Sequence, residues 1–174
     1  MKKALVVVDY QNDFVSGSLG SDMAVAVEDN ICKKIAECKK DGSDVIFTLD
    51  THGENYLETE EGKKLPVAHC VKGTDGWNLY GKVAEQADGS VNLEKKAFGS
   101  VELAEYLSKK QYDTVELVGV ATNVCVISNA VIAKSALPNA EISVDASCCA
   151  TYDAALHQKA LDVMKSMLIV VTNE

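Results

Sequence analysis

Cys125 stands in the run Gly119-Val120-Ala121-Thr122-Asn123-Val124-Cys125-Val126, where an apolar stretch gives way to a helical pattern. A thiol in the first turn of a helix faces the positive end of the helix dipole, which lowers its pKa, and a nearby lysine would lower it further. The resulting thiolate is a nucleophile at neutral pH, and free N–H groups of the same turn could hold an oxyanion. A cysteine packed beneath a sheet would give the same local sequence. Asp9 closes the apolar run Ala4-Leu5-Val6-Val7-Val8, where an unpaired carboxylate is costly. Lys95 is its natural counter-charge, because Val91, Leu93 and Lys95 alternate onto one face of a strand while Lys96 points to solvent. The pair serves either catalysis or a structural ion pair.

A second group lies between these residues. Asp50-Thr51-His52 puts two ligand-type side chains on one side of an extended segment, and His69 follows 17 residues later. An aspartate and two histidines, completed by water, suit zinc, iron or manganese. Two surface loop histidines are the competing reading. His157, in the middle of a helical stretch with no ligand-type neighbours, reads as structural.

The elements that must position these groups alternate. Strands are expected at residues 4–8, 44–49, 90–94, 114–120, 141–144 and 168–171, and helices at 24–40, 103–110, 123–134 and 153–164. Residues 51–89 form a long polar stretch with six of the eleven glycines, too long for a plain connection and so expected to be functional. This alternation predicts an α/β protein: a three-layer, doubly wound parallel sheet of Rossmann-like type. In such sheets ligands bind at the carboxyl ends of the strands. Asp9, Asp50, His52, Lys95 and the segment from Ala121 to Cys125 all follow strands and are expected to converge there.

Composition bounds the function. The 174 residues suggest one domain spanning 1–174, with a metal-binding insertion at about 50–89. There are 17 cations, all lysine, against 26 acids, for a net charge of −9. That balance argues against a nucleic-acid or anionic-membrane partner. Without arginine, the fork that grips carboxylates and phosphates bidentately is missing. No apolar run approaches the ~20 residues of a membrane span. Five apolar residues before Asp9 read as a first strand and not as a signal peptide. The six cysteines contain no Cys-x-x-Cys pair and read as reduced thiols, which suggests the cytoplasm.

Four segments in order carry a resemblance: Val8-Asp9-Tyr10-Gln11-Asn12-Asp13-Phe14; Glu94-Lys95-Lys96-Ala97-Phe98-Gly99-Ser100; the Cys125 run; and Asp145-Ala146-Ser147-Cys148-Cys149 followed by His157. From Leu5 to about Met164 the chain resembles the isochorismatase-like cysteine hydrolases and, within them, the nicotinamidases. The resemblance implies Asp9 as general base, Lys95 as charge stabiliser and Cys125 as nucleophile. It implies a cis peptide between Val120 and Ala121 that aims the Ala121 and Cys125 N–H groups at the oxyanion. It implies Asp50, His52 and His69 as ligands of a divalent metal, zinc foremost with iron or manganese as alternatives, and Glu61 as an extra carboxylate ligand. Phe14 and Phe98 would wall the substrate ring, with Leu65 near a position where many nicotinamidases carry an aromatic residue. The implied reaction is hydrolysis of a small amide, nicotinamide to nicotinate and ammonia through a thioester, within NAD salvage, by a homo-oligomer. Isochorismatase-like and ureido-acid or biuret-type hydrolases are the alternatives. A receiver-type signalling domain is a distant one: Asp9, Asp50 and Lys95 mimic its acid–lysine set, but receivers need no cysteine at a strand exit.

Overall fold

A computed structural model describes residues 1–174. Strand β1 (Lys3–Val8) sends Ala4, Val6 and Val8 into one apolar core and Leu5 and Val7 into another. A strand covered on both faces needs such an unbroken apolar run. With β2 (Asp44–Asp50), β3 (Val91–Lys95), β4 (Thr114–Val120), β5 (Glu141–Ala150) and β6 (Val170–Thr172) it forms one parallel sheet in the order β3-β2-β1-β4-β5-β6. Helices α6 (Val101–Lys110), α7 (Ile127–Ala136) and α8 (Ala154–Ser166) cover one face through Leu103, Leu107, Ala130, Ala133, Leu161 and Met164. The other face carries α3 (Glu28–Asp41) through Ile31 and Ile35, helped by the shorter α1 (Asn12–Val15), α2 (Asp22–Ala26) and α5 (Gly81–Glu85). The sheet is therefore three-layered and doubly wound, as expected. No helix is long and apolar enough to cross a membrane.

Three expected boundaries shift. The helix expected over 24–40 is two, because the chain turns at Val27 between α2 and α3; Ser21 Oγ caps α2 by accepting from the Ala24 N–H at 3.1 Å. Strand β5 runs on to Ala150 past the polar Asp145 and Ser147, which interrupt the apolar pattern. Its pairing with β4 jumps from Leu117↔Val144 to Gly119↔Cys149, so β5 bulges there while Asp145 turns to Lys34 at 2.7 Å. The 51–89 stretch is also structured, with 3₁₀ turns at Tyr56–Glu58 and Asp75–Trp77 and helices α4 (Glu60–Lys64) and α5.

The winding direction reverses between β1 and β4, so a crevice opens at their carboxyl ends. Gly119 permits the close approach of these strands: its φ is +117° and a Cβ there would lie 2.2 Å from the Val8 carbonyl oxygen. This contact sits one residue before Asp9 and one before the Val120–Ala121 bond.

Candidate active site

The strand ends bring Asp9, Lys95 and Cys125 to one point. Asp9 leaves β1 with φ +47°, a left-handed conformation that aspartate tolerates better than most residues. Its Oδ1 accepts from Thr48 Oγ1 at 2.6 Å, which anchors the carboxylate to β2. Lys95 Nζ ends 2.7 Å from Asp9 Oδ2, 3.1 Å from Asp50 Oδ1, 2.9 Å from the Ala97 carbonyl and 3.6 Å from Cys125 Sγ. Asp9 and Lys95 are fully buried, and Cys125 is 5% exposed. Asp9 Oδ2 and the Lys95 ammonium form a close buried ion pair. The Cys125 thiol neighbours the Asp9 carboxylate. A carboxylate oxygen with a spare lone pair beside a thiol is an arrangement for taking up the thiol proton.

The protonation pattern reverses one sequence expectation. Burial raises the Cys125 pKa well above that of a free thiol, and the charges of Asp9 and Asp50 push it further up against the opposing pull of Lys95. The residue does sit in the opening turn of the helical run, a π-helical turn at Thr122–Val126 that continues directly into α7. The helix dipole is therefore outweighed, and the resting group is a neutral thiol. Burial likewise raises the Asp9 pKa, Lys95 opposes it and Asp50 adds to it, so Asp9 is a stronger base than a surface carboxylate. Burial works against the Lys95 charge, but Asp9, Cys125 and Asp50 outweigh it and hold the ammonium form.

The peptide between Val120 and Ala121 is cis. The carbonyl of Ala121 accepts from the Val124 and Val126 N–H groups at 3.0 and 3.1 Å, which folds the chain into the π turn. The Ala121 N–H donates to no backbone or side-chain acceptor, and Ala121 lines the same cavity as Cys125. His157, read as structural, packs its Nδ1 2.8 Å from Thr122 Oγ1 and so braces this turn from α8.

Beside this group, Asp50, His52 and His69 are buried with ligand atoms within 4.8 Å of one another. Both imidazole Nε2 atoms converge on Asp50 Oδ2, at 2.9 and 3.5 Å, and on Glu61 Oε1, at 3.8 and 3.6 Å. His69 Nδ1 lies 2.7 Å from the Val67 carbonyl, which fixes the proton on Nδ1 and leaves the Nε2 lone pair facing the acids. Two imidazoles and a carboxylate converging in this way fit a divalent metal. Burial would raise the Asp50 pKa, but His52, His69 and Lys95 overcome it and hold the carboxylate well below the usual range. Asp50 thus faces the imidazoles with Oδ2 and Lys95 with Oδ1, joining the two clusters.

Several supporting residues carried no role in the sequence reading. Tyr56 is buried with its ring 4.7 Å from that of His52 and 4.9 Å from that of His69, and its hydroxyl donates to the Leu65 carbonyl at 2.9 Å. Its only sequence signal is an aromatic residue within a polar stretch. Gln11 clamps the Asp50 backbone, donating to its carbonyl at 3.0 Å and accepting from its N–H at 2.8 Å. A cavity of about 530 Å³ opens onto both clusters and is lined by Phe14, Leu65, Phe98, Ala121, Val124, Cys125, Tyr152, Asp50, Glu61 and His69 together with Ser18, Leu19 and Gly20.

A doubly wound sheet with a buried cysteine–carboxylate–lysine cluster at its switch point is the class that fold and site define. The isochorismatase domain family matches residues 3–174, and the chain belongs to that family. A nicotinamidase of Acinetobacter baylyi is 30% identical over 173 residues, covering 82% of this chain and 79% of the relative. The crystal structure of a pyrazinamidase/nicotinamidase from Streptococcus mutans superposes with a TM-score of 0.88 at 30% identity, covering 98% of this chain and 99% of that one. A pyrazinamidase of Pyrococcus horikoshii in complex with zinc gives a TM-score of 0.87 at 26% identity, covering 100% of both chains.

Proposed function

We propose that the protein is a cysteine-dependent nicotinamidase, converting nicotinamide to nicotinate and ammonia. One observation carries this reading: Cys125 Sγ, beside the buried Asp9–Lys95 ion pair, borders a cavity walled by Phe14, Phe98, Leu65 and Val124. Asp9 takes the thiol proton as sulfur attacks the amide carbon. Coupling the two events avoids a free thiolate, which the buried, acid-flanked site disfavours. The Ala121 N–H, joined by that of Cys125, receives the oxyanion; a donor in this role contributes roughly 3–4 kcal/mol in other enzymes. The C–N bond breaks as Asp9 returns its proton to nitrogen, releasing ammonia and leaving an acyl thioester. Water, deprotonated by Asp9, then cleaves the thioester and restores the thiol. Lys95 holds Asp9 ionised between these transfers.

Zinc is the proposed resident metal, held by Asp50, His52 and His69 with Glu61 beside them; when bound it supplies a Lewis-acid site for the ring nitrogen. The cavity lining contains no lysine or arginine. That favours a neutral aromatic amide over the carboxylate-bearing substrates of ureido-acid or isochorismate hydrolysis. Ammonia release from nicotinamide, pyrazinamide and small ureido acids, with and without chelator, tests the proposal. Turnover of the two ring amides, lost on chelation, is expected; turnover of ureido acids alone would overturn it.

A further inference from the structure

Asn129 is fully buried at the start of α7 and touches neither the thiol nor any metal ligand, yet its amide meets three separate parts of the site. Its Nδ2 donates to the Cys125 carbonyl at 2.8 Å and to the Phe98 carbonyl at 3.1 Å, and its Oδ1 accepts from the Ser100 N–H at 2.9 Å. Cys125 is the nucleophile of the proposed reaction. Phe98 is a wall of the cavity and, at 48% exposed, owes little of its placement to packing. Ser100 caps α6, its Oγ accepting from the Leu103 N–H at 3.0 Å. The intervening loop begins at Lys95, whose Nζ donates to the Ala97 carbonyl. The two segments that must stay in register, the nucleophile turn and the loop joining the lysine to the ring wall, thus share one side chain.

The residue type matters. A π turn shifts the backbone hydrogen bonds to i→i+5, and an amide side chain four residues on can reach back to a carbonyl of that turn. The neighbouring Ser128 does only the local half of this, donating from Oγ to the Val124 carbonyl at 2.7 Å. A hydroxyl at position 129 could make the same local bond, but it could not span to the loop as well. Only an amide offers two donors and an acceptor in one plane.

We propose that Asn129 is a positioning residue that sets Cys125 and Phe98 in register, and so fixes the ring of the substrate relative to the sulfur. The assignment rests on the proposed amide hydrolysis for its kinetic consequences but not for its geometry. The test uses the full-length enzyme with Asn129→Thr and Asn129→Ala. Asn129→Thr keeps the bond to the Cys125 carbonyl and loses the loop: kcat should stay within about threefold of the parent while KM for nicotinamide rises about tenfold, because the ring loses wall contacts that it makes alike in the ground and transition states. Asn129→Ala loses both, and kcat should fall as well. Alkylation of Cys125 by iodoacetamide, followed by peptide mass, reports the nucleophile turn without any turnover. Its rate should match the parent in Asn129→Thr and change severalfold in Asn129→Ala. A purely structural role predicts lower melting midpoints with kcat, KM and alkylation unchanged well below melting, and that result would overturn the assignment. Should Asn129→Ala fail to fold, the KM-against-kcat split in Asn129→Thr decides alone. A parent enzyme that releases no ammonia from nicotinamide would refute the functional reading, while the alkylation comparison still decides Asn129.

Discussion

Replacing Lys95 by methionine keeps an unbranched side chain, one atom shorter, and removes its charge. The ammonium is fully buried and lies 2.7 Å from Asp9 and 3.1 Å from Asp50. Its loss leaves two buried carboxylates facing each other without a cation. Breaking a buried pair on one side costs about 3–5 kcal/mol. For a domain of this size each kcal/mol moves the melting midpoint by about 2–4 °C, so a drop of roughly 6–20 °C is expected. Proton uptake by Asp9 limits that penalty, since burial and Asp50 already raise its pKa. A protonated Asp9 cannot accept the thiol proton, so kcat should fall by about 10²–10⁴-fold, the usual contribution of a general base. Thermal unfolding and ammonia release are measured on enzyme whose metal content has been matched, because Asp50 serves both clusters. A Lys95→Met variant with kcat within about threefold of the parent, or with an unchanged midpoint, would refute the assignment of Lys95 as the group that keeps Asp9 ionised.

Three further outcomes are expected. Gly119→Ala drives a Cβ against the Val8 carbonyl at a left-handed φ, so the variant should melt well below the parent, whereas Gly42→Ala, also at positive φ but with open space around it, should cost only about 1–2 kcal/mol. Removing the metal, or replacing His69 by asparagine, should abolish turnover of ring amides while far-ultraviolet circular dichroism stays unchanged, because the sheet does not depend on that cluster. Burial works to raise the Asp145 pKa, but hydrogen bonds from Lys34, Ser147 and Asn173 hold it below the ordinary carboxylate value. The stabilisation is therefore present above the unfolded-state pKa and is lost as pH falls through the folded-state pKa. Asp145→Asn should thus destabilise at neutral pH, and its deficit should shrink in acid titrations of the melting midpoint.

The parts of this site that were legible in the sequence are those set by local pattern. Asp9 ends an unbroken apolar run, Lys95 follows Val91 and Leu93 at a spacing of two, and Asp50 and His52 share one side of a short extended segment. Each depends only on a strand's alternation and on the rule that ligands gather where strands end. What depends on distant packing was not legible. The π turn at Thr122–Val126 is set by the Ala121 carbonyl, which draws two N–H groups onto itself. The raised pKa of Cys125 comes first from its burial and then from the charges of Asp9 and Asp50 on other parts of the chain, so a reading limited to the local helix assigns the wrong sign. Tyr56 packs on His52, and Gln11 clamps the Asp50 backbone from another part of the chain, by contacts that no spacing announces. Strand β5 outran its apolar signal because its bulge turns Asp145 towards a lysine on α3.

In the proposed reaction the Cys125 sulfur becomes covalently bonded to the acyl carbon of the substrate. Acid quenching during turnover of nicotinamide, followed by intact mass and peptide mapping, tests it most directly. A nicotinoyl thioester is expected on the peptide containing Cys125, absent from Cys125→Ala, which should bind metal normally and release no ammonia. An adduct on another residue, or turnover that survives in Cys125→Ala, would contradict it.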